Sequence, residues 1–146
     1  MKRILLFVTC LTLTYNWANA QINPAKIDII RDSFGVPHIF GKTDPDVAYG
    51  LAWAHAEDDF GTIQQSLMAG KSMLAQYQGK KGASIDYIIH LLRIPELVEE
   101  KYESELSPAF KKLLEGYAAG LNAYATAHPK EILLKKIFPV TPKDMV

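Results

Sequence analysis

The chain has a single pair of candidate β-strands, and this limits the folds that it can form. Residues 26–32 alternate apolar with polar side chains, as a strand with one buried face does. Residues 36–40 form a second short apolar run, and the turn-forming residues 32–35 between them predict a hairpin with a four-residue loop. Pro37 has no N–H group, so it belongs at a sheet edge or at the first position of its strand. Because two strands alone do not make a stable sheet in water, the rest of the sheet is expected to lie elsewhere.

The residues after the hairpin predict a long helix. Thr43 is placed to cap it, and Asp46 stands three residues later in a capping box that has Asp in place of Glu. Val47 and Leu51 share one face of this helix, and small residues line the opposite face, which predicts burial on several sides. The helix is expected to bend around residues 60–61 and then to continue.

A second strong helix signal begins at Ser107, which is a favoured N-cap residue, with Pro108 in the first helical position. Apolar side chains follow at helical spacing as far as residue 124. Gly116 and Gly120 lie one turn apart on this helix. The pair would allow another backbone to approach closely.

The remaining segments carry weaker signals. Residues 85–92 and 95–102 predict two short helices, and residues 79–82 predict a basic turn that is too short for a phosphate-binding loop. Residues 132–146 predict a loop with two apolar clusters, in which residues 141–144 resemble the cap and first turn of a new helix. A chain that stops after one such turn is expected to be incomplete.

The first 20 residues have the three-part layout of a cleavable secretory signal peptide. A positive start and an apolar run over residues 4–13 precede a small-x-small cleavage site at Ala18-Asn19-Ala20, so the mature chain is expected to begin at Gln21. The apolar run is shorter than the roughly 20 residues of a membrane-spanning helix, which disfavours an uncleaved anchor. The sequence therefore predicts a periplasmic or secreted protein that is free of the membrane after cleavage.

Charge and cysteine content narrow the possible partners. Once Lys2 and Arg3 are removed with the signal, 14 basic residues stand against 16 acidic ones. The mature chain therefore has no basic surplus for binding nucleic acid. The single cysteine, Cys10, also lies in the signal, so residues 21–146 depend on no disulfide. Their length is enough for one domain, which leaves open a second hypothesis: a small exported helical binding protein without catalysis.

The side chains form no recognisable catalytic constellation. The sequence has no Gly-x-Ser-x-Gly motif, and its mature serines stand in helix or turn contexts typical of caps and surface hydroxyls: Ser33, Ser66, Ser72, Ser84, Ser104 and Ser107. His55 and Asp59 lie four residues apart on one helical face and leave open a third hypothesis, a metal-dependent hydrolase, although structural zinc sites usually have four protein ligands. The acidic run 96–105 is typical of a solvated helix face. The residues alone therefore predict no catalytic, cofactor-binding or metal-binding residue.

Four segments nevertheless carry recognisable motifs in order along the chain. They are Ile30–Ile39, Tyr49-Gly50 with Ala54–Asp58, Gly116–Ala123, and Thr141–Asp144. Together they resemble the penicillin acylase family of N-terminal-nucleophile amidohydrolases, which includes penicillin, aculeacin-type and acyl-homoserine-lactone acylases. Asp59 and Val140 replace the Arg and Trp that are common in this family. The two differences affect which branch of the family the chain resembles, but not whether it resembles the family. Residues 56–60 and 84–87 favour the acyl-homoserine-lactone and aculeacin-type branch.

The resemblance implies an α+β fold, in which this chain is an incomplete part of an αββα sandwich, mostly helical with a short N-terminal β-hairpin. It also implies a precursor that cleaves itself into a small and a large subunit. The new N-terminal Ser of the large subunit would be the nucleophile, with its own α-amino group as base. Residues 21–146 would then be the N-terminal part of the small-subunit region, and the chain alone would be inactive.

The resemblance also sets expectations for partners and cofactors. The expected partners are the remainder of the small subunit, the large catalytic subunit of the same precursor, and a small-molecule acyl amide of the β-lactam side-chain, acyl-homoserine-lactone or lipopeptide type. No cofactor is expected in this chain, and a structural calcium ion is possible only in the complete enzyme. Neither Gln21 nor Gly61-Thr62, the only Gly that precedes Ser, Thr or Cys, offers an N-terminal nucleophile.

Overall fold

A computed structural model describes residues 22–146 of the chain. The predicted signal peptide and the predicted mature N-terminus at Gln21 lie outside the described residues. Within them, the elements are a two-stranded hairpin and five helices, followed by a C-terminal segment of short turns. No helix among the described residues is long and apolar enough to cross a membrane.

The predicted hairpin is confirmed. Strand β1 covers Asp28–Arg31 and strand β2 covers Pro37–Phe40, and the two pair antiparallel with Ile29 opposite Ile39. Pro37 is the first residue of β2, as its missing N–H group requires. Gly35 closes the turn with a φ of +84°, a conformation that favours glycine.

The long helix α1, Asp44–Gly70, begins with the predicted capping box between Thr43 and Asp46. The predicted bend is also present, and it lies at Asp59, where φ is −157° and ψ is 71°. The Asp59 carboxylate accepts a hydrogen bond of 3.0 Å from the N–H of Thr62, and so acts as an N-cap from which the helix restarts.

Helix α1 lies between the hairpin and helix α5, which covers Pro108–Ala127. On the hairpin side, Gly50 leaves no room for a side chain, since a Cβ atom there would lie 2.6 Å from Ile39. On the other side, Gly116 and Gly120 face the main-chain oxygens of Pro45 and Tyr49, so the predicted close approach of a second backbone is confirmed.

The burial predicted for several sides of α1 holds for its small residues and is incomplete for Val47 and Leu51. The buried positions on the first half of the helix are Ala48, Gly50, Ala52, Ala54 and Ala56. Val47 and Leu51 are each 36% exposed.

The middle of the chain differs from the prediction in two respects. Helix α2 covers Leu74–Gln78, α3 covers Lys80–Leu91, and α4 covers Ile94–Glu105. The predicted basic turn 79–82 is therefore wrong, because its last three residues form the first turn of α3, and α2 was not predicted. The physical reason is tertiary packing: a Cβ atom on Gly82 would lie 2.6 Å from the main chain of Leu74, so glycine lets α3 begin against α2.

The C-terminal segment, residues 129–146, lies against α1 and α5 without forming a regular helix or strand. It contains three short 3₁₀ turns, of which the last, Pro142–Met145, carries the predicted cap between Thr141 and Asp144. Ile137 and Val140 are buried in the core that the two long helices share. The two apolar clusters of this segment therefore anchor it to the helix pair.

Candidate functional site

An arginine at the end of β1 joins the hairpin to α1. The Arg31 guanidinium donates to the main-chain oxygen of Gly35 at 2.9 Å and to a Glu57 oxygen at 3.2 Å. It also forms an ion pair with Asp58, whose nearest carboxylate oxygen lies 2.8 Å away. Two carboxylates thus face one cation, at the point where the helix approaches its bend. We call Arg31, Glu57 and Asp58 the arginine cluster.

The arginine cluster is connected to the aromatic core. The second oxygen of Glu57 accepts a hydrogen bond of 3.0 Å from the Trp53 indole N–H. The Trp53 ring meets Tyr124 of α5 edge-on, with centroids 5.3 Å apart. Hairpin, α1 and α5 are therefore joined by one chain of contacts.

The protonation states of this region suit binding and not proton transfer. Hydrogen bonds to Asp58 and Glu57 raise the pKa of Arg31, so the guanidinium stays charged. Hydrogen bonds from Thr62 lower the pKa of Asp59 below its usual range, so this carboxylate stays ionised at neutral pH. A general base needs a free lone pair and a pKa near the working pH. The charged groups here are instead committed to each other or to the backbone.

The side chains of His38 and His55 contact different residues. His38 Nε2 lies 3.3 Å from Asp32, and His55 Nδ1 lies 3.1 Å from the hydroxyl oxygen of Tyr117. The pKa of Asp32 is lowered chiefly by hydrogen bonds from the N–H groups of Val36 and Phe34, which hold the hairpin turn. These contacts are those of residues that stabilise turns and helix packing.

The metal hypothesis for His55 and Asp59 finds no support in the geometry. Asp59 leaves the helical conformation, and its carboxylate accepts the Thr62 N–H, while His55 faces Tyr117. Within residues 22–146, no three His, Cys, Asp or Glu side chains come together as a metal centre requires.

The candidate serines and threonine take part in local hydrogen bonds. Ser107 caps α5 by accepting the Phe110 N–H at 3.2 Å, and Ser66 donates to the carbonyl oxygen of Thr62 at 3.1 Å. Thr62 itself lies in the first turn after the bend of α1. None of these three is the first residue of a chain with a free amino group, which an N-terminal nucleophile requires.

The hairpin presents the first of two large apolar surfaces. Phe34 at its tip is 91% exposed, and three further apolar side chains are more than half exposed. We call this set the hairpin surface: Ile30, Phe34, Val36 and Phe40. The described sheet has two strands, so each of them also has an unpaired edge that can accept another strand.

Helix α3 presents the second surface, a group of five exposed apolar side chains near its C-terminal end. We call this set the α3 surface: Ile85, Tyr87, Ile88, Leu91 and Leu92. Single exposed apolar residues are ordinary, but contiguous groups mark interaction surfaces. The described residues therefore present two exposed apolar surfaces of the kind that binding partners cover.

The architecture matches a known hydrolase. A thermostable penicillin G acylase from Alcaligenes faecalis superposes with a TM-score of 0.67 at 23% identity, over 82% of this chain and 67% of that chain. The described residues thus have the fold of part of that acylase, and the predicted α+β fold class is confirmed.

The sequence places the chain more closely. It matches the penicillin amidase family over residues 26–146, and it belongs to that family. Penicillin G acylase from Escherichia coli is 29% identical over 148 residues, spanning 94% of this chain and 17% of that protein. Acyl-homoserine lactone acylase PvdQ from Pseudomonas fluorescens is 27% identical over 113 residues, spanning 72% of this chain and 14% of that protein.

These relatives agree with the family assignment, and both are much longer than this chain. The chain spans less than a fifth of the length of either curated relative. Because both kinds of acylase match at similar identity, the preference for the acyl-homoserine-lactone branch stays a prediction. In the sequence, Arg31, Glu57 and Asp58 stand out only as parts of family motifs, because Arg31 and Glu57 are 26 positions apart and no local pattern indicates their contact.

Proposed function

We propose that this chain is the N-terminal part of the small-subunit region of an exported amidohydrolase. The complete enzyme would cleave the amide bond of an N-acylated small molecule of the penicillin or acyl-homoserine-lactone type. The observation that carries the proposal is the family match over residues 26–146. The two unpartnered apolar surfaces support it, since they fit a unit that the rest of a larger protein covers.

In this proposal the chain supplies a scaffold and the partner subunit supplies the chemistry. The N-terminal Ser of the large subunit would attack the acyl carbonyl carbon, while its α-amino group takes the hydroxyl proton. The amine product leaves as that proton is returned, and water then releases the acid from the acyl-enzyme. The arginine cluster would hold the hairpin against α1, so that the open edges of β1 and β2 can extend the sheets of the catalytic core.

The activity test is reconstitution. The chain is co-expressed with the remainder of its precursor, and hydrolysis of a phenylacetyl anilide and of an N-acyl-homoserine lactone is measured. We expect turnover from the assembled protein and none from the chain alone. Replacing the N-terminal Ser of the large subunit by Ala should abolish turnover while the two parts still co-purify. An assembled protein that hydrolyses neither amide, or one that keeps its activity without that Ser, contradicts the proposal.

Export gives a separate prediction. Expressed in a Gram-negative host, the chain should be recovered outside the cytoplasm with an intact mass that begins at Gln21. Ala20→Leu removes the small residue that the cleavage site needs, so this variant should keep the mass of the uncleaved chain. Asn19→Ala changes the neighbouring, unrestricted position and should be processed normally. Full-length wild-type protein found only in the cytoplasm would disprove the signal.

A further inference from the structure

The side chain of Asn122 forms a two-sided contact with the backbone of the C-terminal segment. Its amide nitrogen donates to the carbonyl oxygen of Val140 at 2.8 Å, and its amide oxygen accepts the Val140 N–H at 2.8 Å. One side chain on α5 therefore satisfies both main-chain groups of one residue in the segment. The two bonds resemble those between paired residues of neighbouring strands, with the Asn122 amide in the place of one strand's backbone.

Val140 depends on this contact because of where it lies. It is buried in the core, and it belongs to no helix or strand that could pair its main-chain groups. Buried N–H and C=O groups require partners, and leaving one unpaired is costly. Asn122 therefore fixes the backbone at the residue just before the last turn.

The last turn is attached to other helices from that fixed point. Thr141 and Asp144 form its cap, and the Asp144 carboxylate also pairs with Lys71 at the end of α1. Lys143 pairs with Glu99 of α4. The hydrogen bonds at Val140 therefore attach the C-terminal segment to α5. The ion pairs of Asp144 and Lys143 attach the last turn to α1 and α4.

We propose that Asn122 is a positioning residue that sets the path of residues 140–146 by pairing with Val140. The amide is the group suited to this role, because it presents one donor and one acceptor in a single plane. Asp keeps the acceptor but, when ionised, places a charge against the Val140 carbonyl oxygen. Ala offers neither. The proposal concerns the chain itself and does not depend on the acylase function.

Amide hydrogen exchange of the full chain, resolved by NMR, tests the proposal. In Asn122→Ala, the protection factors of Val140 and of Asp144 in the following turn should fall at least about tenfold, while those of the core of α1 and α5 stay unchanged. Asn122→Asp keeps an acceptor for the Val140 N–H but sets a charged oxygen against the Val140 carbonyl oxygen at neutral pH, so it should also lower the protection of the same two amides. Thr126→Val, which alters an exposed hydroxyl one turn along α5, should leave both amides protected.

The proposal is overturned by either of two outcomes. Unchanged protection at Val140 and Asp144 in both Asn122 variants would show that the segment is positioned by other contacts. An equal loss of protection at every measured amide would show that Asn122 contributes only to global stability. If Asn122→Ala does not fold, the decision rests on Asn122→Asp, read at the same amides.

Discussion

Replacing Gly116 with alanine is expected to separate α5 from α1 and to destabilise the fold by about 3 kcal/mol or more. The new Cβ atom would overlap the main-chain oxygen of Pro45, and the neighbouring contacts are also with backbone atoms. A flexible side chain could move aside, but a backbone inside a capped helix cannot move without displacing the helix. Gly120→Ala meets the same obstacle at the main-chain oxygen of Tyr49. Urea unfolding followed by circular dichroism measures the loss.

Gly61→Ala is the matched control for this prediction. It lies in α1, and the nearest atom to its added Cβ is an Asp59 carboxylate oxygen at 3.7 Å, which is ordinary contact. Its effect should stay within about 1 kcal/mol, the range of helix propensity. If Gly116→Ala is no more destabilising than Gly61→Ala, then α1 and α5 do not pack as closely as the structure shows. A loss in both Gly116→Ala and Gly120→Ala, with none in the control, supports it.

Elements defined by local chemistry were predicted well. The hairpin follows from alternation, a glycine-ended turn and a proline that can only begin a strand. The starts of α1 and α5 follow from Thr43 and Ser107, whose side chains satisfy the free N–H groups of a first helical turn. In each case the residues that decide the structure lie within a few positions of one another.

Apart from the close approach at Gly116 and Gly120, the features that depend on contacts outside a local segment were not predicted. The start of α3 depends on Gly82 meeting the backbone of Leu74, and glycine near lysines in sequence is more typical of a turn. The exposure of Val47 and Leu51 has a related cause. Their apolar character predicts full burial, but the described residues cover them only in part. Sequence periodicity identifies an apolar face without identifying what packs on it.

In the candidate site, too, local sequence features were predicted and contacts between separate segments were not. Family motifs marked Arg31, Glu57 and Asp58 as segments, but the ion pairs among them exist only once the hairpin lies on α1. The apolar residues of the hairpin surface were predicted as strand and turn residues. Their exposure is a property of the folded unit. The catalytic chemistry could not be predicted from these residues because the family resemblance assigns it to another subunit.

Replacing Gln64 with leucine is expected to cost about 1 to 3 kcal/mol, because it leaves partly buried backbone groups without partners. Gln64 is fully buried, with an exposure of 0%. Its amide nitrogen donates to the Glu131 carbonyl oxygen at 3.0 Å, and its amide oxygen accepts the Leu133 N–H at 2.8 Å. Leucine fills the space but can form neither bond. Gln76→Leu makes the same change on an exposed position of α2 and should have little effect on the free energy of unfolding.

Gln64→Glu sharpens the test, because it keeps the size of the side chain and makes its cost depend on pH. A protonated carboxyl can replace the amide, donating through its O–H group to Glu131 and accepting from Leu133. Burial disfavours the ionised form, so the folded-state pKa should rise above the unfolded value of about 4.3. The variant should therefore approach wild-type stability below that pH and lose stability as pH rises through the folded pKa. Unfolding curves at pH 4 and pH 8 for wild type, Gln64→Glu and Gln64→Leu measure the difference. A penalty for Gln64→Glu that does not change with pH would mean that the amide is not buried between these two backbone groups.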